Sequence, residues 1–335
     1  MAKKDRVRWG VISTANIGVE KVLPGMMNSK EIEIRAIASR SLKTAKKAAK
    51  KLGIPVAYGS YEELLDDPEI EAIYNPLPNH LHVPLTLAAA KKGKHVLCEK
   101  PIALTAAEAA TLRTAPKGII IAEAFMVRHH PQWQMARDLV RKGKLGTLRA
   151  IQTMFTYHNV DANNVRNMAD IGGGAFYDIG CYPIVVARYI FGAEPVRAVS
   201  LIDRDPTFRT DRTASALIDF GEGRHLTFTT STQAANYQRV QIMGTKARLE
   251  VQIPFNAPQG GAMSLYLDDG RKLGDASAKR IKLPKADQYQ LQGEHFSRAV
   301  RGKEKPEFGL EDALLQMRVI DALFRSEKSG AWETP

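Results

Sequence analysis

Short apolar runs recur along the first third of the chain, and each is followed by a stretch whose apolar positions repeat at helical spacing. Residues 6–12, 32–38, 56–58, 72–74, 96–98 and 119–121 read as strands. Residues 16–27, 42–52, 61–65, 81–92 and a segment from Ala106 read as helices between them. Pro24 shortens the first helix, Pro84 falls in the first turn of the fourth, and Gly53 stands at a C′ position. Strands alternating with helices predict parallel βαβ units in a doubly wound sheet.

The pattern changes after Phe125. A helix over 132–142 and a strand over 148–157 lead into a long polar loop, Gly172-Gly173-Gly174 and a helix over 175–191. Alternating strands follow at 196–202, 213–220, 225–231 and 237–243, with shorter ones near 247–251 and 263–267. Helices over 289–301 and 310–327 close the chain. The fold class is therefore α/β: a Rossmann-like domain over 1–124, then an α+β domain over 125–335 with a large open, mostly antiparallel sheet. Helices cover one face of that sheet, and the other reads as a subunit interface giving a homodimer or homotetramer.

A chain of 335 residues has room for two such cores. The net charge of +12 raises nucleic-acid binding, but the lysines are spread over helix faces (Lys43, Lys46, Lys47, Lys50 and Lys51) and no basic tail or RNA-binding signature accompanies them. A solvated basic surface that attracts an anionic cofactor fits better. The charged start, the lack of a signal peptide and the lack of a transmembrane run predict a cytoplasmic protein without membrane partners. Cys98 and Cys181 sit in apolar contexts as buried thiols rather than a disulfide framework. No metal-ligand spacing is present, so no metal is expected.

The strand at 96–98 ends in Glu99-Lys100-Pro101. A lysine there sits at the carboxyl edge of a parallel sheet, where open α/β sheets bind ligands, and Pro101 holds Lys100 extended. The first strand-to-helix turn, Ser13-Thr14-Ala15-Asn16-Ile17-Gly18, is a degenerate dinucleotide fingerprint. Small residues stand where backbone approaches a pyrophosphate, and Gly18 is read as allowing close helix packing. The second strand ends in Ser39-Arg40-Ser41, where an enzyme selective for NAD has a carboxylate. A guanidinium there favours the 2′-phosphate of NADP over NAD; a helix N-cap beside a surface arginine is the plainer alternative. Asp178 and Tyr182 are four apart and share a helix face behind the triglycine, which lets backbone pack closely. A carboxylate near a helix start and a packed tyrosine also serve structure alone, and spacing by itself favours that role.

Taken together, Glu99-Lys100-Pro101, the degenerate glycine turn and the run Gly173 to Pro183 resemble the glucose-fructose oxidoreductase / inositol dehydrogenase / rhizopine-catabolism (Gfo/Idh/MocA) family. Asn75 to His82, Arg128-His129-His130-Pro131-Gln132 and Phe191 to Pro195 extend the resemblance over nearly the whole chain. Tyrosine at 182 is similar to the branch of D-xylose dehydrogenases and dimeric dihydrodiol dehydrogenases, whereas the inositol branch has histidine. The resemblance implies an active site between the two domains. It implies Lys100 and Tyr182 as the catalytic pair, with Asp178 holding or polarising substrate. It also implies that Pro76, Leu77, Asn79, His82 and Glu99 line the cofactor, with Arg128 where the second domain meets it. The cofactor residues are then Ser13, Thr14, Ala15, Asn16, Ile17, Ser39, Arg40, Pro76, Leu77, Asn79, His82, Glu99, Lys100 and Arg128. The substrate residues are Lys100, Tyr157, Arg166, Asp178 and Tyr182, and Gln288 and Tyr289 belong to a segment that returns toward the site.

A tyrosine is too weakly acidic to be an efficient base at neutral pH, and an adjacent ammonium corrects this. Tyr182 then acts as general base with Lys100 as its electrostatic partner, although a coupled pair allows the reverse. The polar loop with Tyr157, His158, Asn159, Asp161, Asn163, Asn164 and Arg166 suits a sugar or polyol. The expected activity is NADP-dependent oxidation of an aldose such as D-xylose or D-glucose at C1. A trans-dihydrodiol dehydrogenase, an anhydrofructose reductase, a self-recycling enzyme with retained cofactor and a non-catalytic dinucleotide-binding regulator are the alternatives.

Overall fold

The computed structural model describes residues 6–335. The chain packs as two units: unit 1 runs to Met126 and includes Gln288–Leu314, and unit 2 comprises Val127–Asp287 and Leu315–Pro335.

In unit 1, β1 (Val7–Ile12) leads through a π-helical turn (Gly18–Val22) into α1 (Leu23–Met27), then β2 (Ile32–Ala38), α2 (Leu42–Leu52), β3 (Val56–Tyr58) and α3 (Tyr61–Asp66). β4 (Ala72–Asn75), α4 (His82–Lys91), β5 (His95–Cys98), α5 (Ala106–Ala110) and β6 (Ile121–Glu123) follow. The six strands are all parallel in the order β3-β2-β1-β4-β5-β6, the doubly wound arrangement with its switch point between β1 and β4. α2 shows how composition sets the packing. Ala45, Ala48 and Ala49 face inward, Lys43, Lys46, Lys47 and Lys50 face water, and Gly53 ends the helix at φ 70°.

Two sequence expectations shift. The last strand of the sheet is Ile121–Glu123, not 119–121, with Val96 paired to Ile121 and Cys98 to Glu123. Residues 119–122 are so uniformly apolar that periodicity cannot choose a register, and pairing with β5 chooses it. The first helix is not a regular α-helix. Pro24 has no N–H for the carbonyl four residues back, and the preceding turn widens so that Leu23 N reaches Gly18 O.

Unit 2 contains α6 (Pro131–Arg141), β7 (Leu148–His158), a second π-helical turn (Phe176–Gly180) running into α7 (Cys181–Phe191), and β8 (Arg197–Arg204) to β14 (Lys279–Ala286). Between those two strands lie β9 (Asp211–Asp219), β10 (His225–Ser231), β11 (Gln233–Gly244), β12 (Arg248–Val251) and β13 (Gly261–Asp268). They form one sheet in the order β14-β13-β12-β11-β7-β10-β9-β8, antiparallel except for the β7/β10 pair. β14 has no counterpart among the expected strands, because its Lys279, Arg280, Lys282, Pro284 and Lys285 hide the alternation of an edge strand. The opposite edge, β8, is capped by the chain terminus, where Ala198 and Glu333 exchange both backbone hydrogen bonds. α8 (Gln288–Val300) and α9 (Leu310–Ser329) complete the chain.

α8 belongs to unit 1, so a single boundary at 124/125 does not describe the packing. Trp9, fully buried in β1, packs its ring 5.1 Å from Phe296 and donates from Nε1 to Ser297 Oγ at 3.1 Å. Burying one such aromatic contributes on the order of 2 kcal/mol. Arg301 clamps Glu71 with two bonds of 2.7 and 2.9 Å. Burial raises the Glu71 carboxyl, but Arg301 and Arg8 outweigh it and bring it to about 2. A Cβ on Gly293 would approach Ile32 Cδ1 at 2.8 Å and Met26 Cγ at 2.9 Å. Gly293→Leu is therefore expected to lower stability by about 1–3 kcal/mol in a chemical denaturation titration, through overpacking against β2 and α1.

Candidate functional site

At the carboxyl edge of the parallel sheet, polar residues end the apolar strands. Ser13 follows β1 and adopts φ 93°, the left-handed backbone that a fingerprint glycine would otherwise supply. Its Oγ accepts from Ala15 N at 3.0 Å, which closes the turn before the helix start. Thr14 and Ala15 are half-buried, and Asn16 and Ile17 are exposed at that helix start. A backbone turn that presents N–H groups at a helix N-terminus fits a pyrophosphate. The reading of Gly18 is corrected: a Cβ there would lie 3.5 Å from Tyr74 Cε1 and 3.6 Å from Pro76 Cγ, ordinary contact distances. At the end of β2, Ser39 is half-buried and Arg40 exposed, and among the described residues Arg40 has no ion-pair partner. Ser41 occupies the N-cap position of α2 but makes no side-chain cap bond.

β4 ends in Tyr74 and Asn75, both fully buried. Tyr74 OH donates to Glu99 Oε1 at 2.6 Å, and burial beside that carboxylate raises the phenol. Asn75 Nδ2 donates to His82 O and to Thr86 Oγ1 at 3.2 Å each, and its Oδ1 accepts from Leu77 N at 3.3 Å. Asn75 therefore joins the strand end to the loop that holds Pro76, Leu77 and Asn79. Pro76 and Leu77 are buried, and Asn79, Glu99 and Lys100 are half-buried. His82 is corrected from a cofactor contact to a brace. It is 1% exposed, with Nδ1 2.6 Å from Pro101 O and Nε2 2.6 Å from Leu77 O. Burial lowers the pKa of its ring, while bonds to the two carbonyls, each of which needs an N–H, act to raise it. Tyr289 is buried within reach of the Tyr74 charge environment, and Gln288 is buried beside it in sequence.

Unit 2 brings together three of the expected substrate residues. Asp178 Oδ2 accepts from Tyr157 OH at 2.6 Å and from Arg166 Nε at 2.8 Å. Burial and then the Asp178 charge raise the Tyr157 phenol, while Asp178 raises the Arg166 guanidinium. Tyr182 lies near enough to Arg166 to act on its charge, and its ring packs on Phe155 at 5.9 Å and Phe255 at 5.3 Å. Tyr182 is buried and Asp178 half-buried. Arg128 is buried in unit 2, whereas Lys100 belongs to unit 1. The loop between Tyr157 and Arg166 is mostly exposed, and several of its polar side chains bond to backbone within it. Asn159 accepts from Asp161 N, Asp161 from Asn163 N and Asn164 from Arg166 N, so these side chains shape the loop.

The helix that carries Asp178 and Tyr182 is set by its start. Gly174 adopts φ 118°, and a Cβ there would collide with the Asp211 carboxylate; a Cβ on Gly173 would meet the Arg166 carbonyl oxygen at 2.6 Å. Asp211 Oδ2 accepts from Phe176 N at 2.6 Å and so caps the π turn that contains Asp178. Cys181 N reaches Phe176 O, and Gln316 Nε2 donates to Cys181 O at 2.8 Å where the π turn becomes α7. Cys98 and Cys181 are both buried without a disulfide. The described residues hold no His/Cys/Asp/Glu cluster suited to a metal and no helix long and apolar enough to cross a membrane.

Sequence reasoning passed over Tyr74, Asn75, Glu123, Asp211 and Gln316. Tyr74, Asn75 and Glu123 had a signal, since each ends an apolar strand at the carboxyl edge. Asp211 and Gln316 act across the fold and had none.

Burial lifts the Asp211 carboxyl to about 7 despite its bond from Phe176 N and the nearby Arg204. The folded state then holds the proton more tightly than the unfolded chain, whose carboxyl titrates near 3.8. Stability from this group is present below that value and lost as pH rises toward 7. The native chain is expected to lose thermal stability relative to Asp211→Asn as pH increases from about 4 to 7. A pH-independent difference between the two melting curves would sink this account.

An NAD-binding Rossmann model of the oxidoreductase family matches residues 7–117, and a Gfo/Idh/MocA C-terminal domain model matches 133–250. An uncharacterised oxidoreductase of Rhizobium meliloti is 47% identical over 98% of this chain and 99% of its own length. A D-xylose 1-dehydrogenase (NADP(+)) of Haloferax volcanii is 37% identical over 96% of this chain and 98% of its own. A 3-ketoreductase from Actinomadura kijaniata, solved with NADP and TDP-benzene, superposes with a TM-score of 0.89 at 29% identity, covering 96% of this chain and 98% of the other. With both domains matched and full-length relatives of this kind, the chain belongs to the Gfo/Idh/MocA family of NAD(P)-dependent sugar oxidoreductases.

Proposed function

We propose that the chain is a cytoplasmic, NADP-preferring oxidoreductase that moves a hydride between C1 of an aldose, such as D-xylose or D-glucose, and the nicotinamide. The observation that carries this reading is the shared carboxylate of Asp178, one helical turn before Tyr182, holding the Tyr157 hydroxyl and the Arg166 guanidinium as fixed polar groups for a polyol. Fixed hydrogen-bonding groups reject substrates that lack the matching hydroxyls. The D-xylose 1-dehydrogenase relative supports the same substrate class.

Bound NADP would supply the hydride acceptor, held by the Ser13–Ile17 turn, with Pro76, Leu77, Asn79 and Glu99 toward the nicotinamide. Tyr182 takes the substrate hydroxyl proton as general base. Lys100 stabilises the phenolate and donates a hydrogen bond to the substrate oxygen, and Asp178 orients a neighbouring hydroxyl. Arg128 supports the cofactor from unit 2, unit 1 serves as the dinucleotide domain, and unit 2 supplies substrate binding and assembly. Arg40, exposed and without a carboxylate partner among the described residues, suits the 2′-phosphate. The ketoreductase relative, solved with NADP, supports that cofactor and a second reading in which the same residues reduce a sugar carbonyl.

A second copy of the chain is proposed to cover the open face of the eight-stranded sheet. That face carries a depression of about 830 Å³ lined by Gln152, Met154, Leu201, Thr229 and Tyr237 among others, with Leu201 77% exposed. Apolar side chains grouped on an open sheet face mark an interface.

Absorbance of reduced nicotinamide tests the reading across aldoses, inositols and dihydrodiols, with NADP and NAD separately. Turnover of an aldose with NADP supports it, and silence with intact NADP binding favours a regulator. Lys100→Ala is expected to lower kcat by about 100-fold or more while NADP still binds. Arg40→Ala is expected to weaken NADP by roughly tenfold or more and leave NAD nearly unchanged, the loss of one charged hydrogen-bond pair. Equal losses for both cofactors would overturn the NADP preference.

A further inference from the structure

The backbone that follows Lys100 is gripped from two sides by buried polar side chains. His82 Nδ1 meets Pro101 O at 2.6 Å, and Glu123 Oε1 accepts from Ile102 N at 2.9 Å. His82 is 1% exposed and Glu123 4% exposed, so both spend their polarity inside the protein. Each is held from behind. His82 Nε2 reaches Leu77 O, its carbonyl accepts from Asn75, and Glu123 ends β6 in register with Cys98 at the end of β5. Lys100 N itself lies 3.3 Å from Glu99 Oε2, and Glu99 Oε1 is fixed by Tyr74.

Burying an imidazole and a carboxylate is costly unless each is paired. Apolar side chains would pack such a loop with less cost, but they would not fix the orientation of individual peptide groups. Hydrogen bonds to one carbonyl and the next amide do fix it, and working side chains need placement to within about 0.5 Å. Lys100 is also felt electrostatically at the ring, where its charge, like burial, lowers the His82 pKa.

We propose that His82 and Glu123 are positioning residues for Lys100, holding the Pro101–Ile102 peptide group one residue beyond it and so aiming its ammonium. The proposal rests on the reading of Lys100 as a member of the proton-transfer pair.

The test uses the full chain with D-xylose and NADP. Three measurements are made: kcat, the dissociation constant of NADP, and amide hydrogen exchange over residues 99–104. Glu123→Ala is expected to speed exchange in that segment about tenfold or more through local opening, to lower kcat about tenfold or more, and to leave NADP binding within about threefold. Glu123→Gln keeps an acceptor for Ile102 N and is expected to restore both rate and protection. In a Lys100→Ala background, Glu123→Ala is expected to cost no further rate, because residues that act through one group are not additive. Should Glu123→Ala not fold, His82→Leu, similar in volume and without either ring nitrogen, makes the same comparison.

Unchanged exchange in the folded variant, or rate losses that multiply in the Lys100→Ala background, overturns the positioning role. Turnover that survives Lys100→Ala sinks the assignment of Lys100 itself, and this role with it. A segment that still loosens in Glu123→Ala then identifies the lysine, not the clamp, as the failed step.

Discussion

A polar group withdrawn from water must find a partner inside the protein, and in both units that demand decides where the working residues stand. Asp178 is the plainest case. One of its oxygens serves a phenol and a guanidinium at once, which fixes both donors on a single carboxylate. In unit 1, Asn75 plays the equivalent part, with its amide satisfying a carbonyl, a hydroxyl and a backbone N–H on three different turns of chain. Neither residue could be exchanged for an apolar one of similar size without leaving several neighbours unpaired.

The two π turns follow from the same accounting. Each precedes a proline: Pro24 comes shortly after Gly18–Val22, and Pro183 shortly after Phe176–Gly180. A proline leaves the carbonyl four residues earlier without its helical donor, and a widened turn redistributes the ladder ahead of it. At the second site Gln316 donates to the Cys181 carbonyl where α7 begins and is itself held by Arg188 at 3.3 Å, which forms a bidentate pair with Glu194. The face shared by Asp178 and Tyr182 is thus built across a change of helical pitch, not along a uniform α-helix.

Much of the architecture was legible in the chain. α2, β2, β3 and β10 follow their periodicities residue for residue, because one face is apolar and the breaks are marked by Gly53 or polar turns. Legibility failed where the local pattern was degenerate or masked. The apolar run through Ile121 offered several registers, and β14 looked like a charged loop. At the site, the Glu99-Lys100-Pro101 step and the grouping of Tyr157, Arg166 and Asp178 could be anticipated from motif and resemblance. The burial of His82 could not, since a polar residue at a helix start gives no sign of whether water or a backbone carbonyl will be its partner. The return of α8 to unit 1 was equally hidden, because Trp9 and Phe296 are distant in sequence and meet only in the folded core.

The edges of the eight-stranded sheet have a consequence for how the chain behaves in a crowded solution. An unpaired strand offers a row of backbone donors and acceptors to any passing strand, which is how fibrils begin. β8 is bridged at one point of that row, where Ala198 pairs with Glu333. β14 leaves its row open but studs it with Lys279, Arg280, Lys282 and Lys285, and interrupts it with Pro284, which has no donor to offer. Two such strands brought side by side would set cation against cation across a gap of about 5 Å, so this edge opposes growth of the sheet by pairing with its own copy.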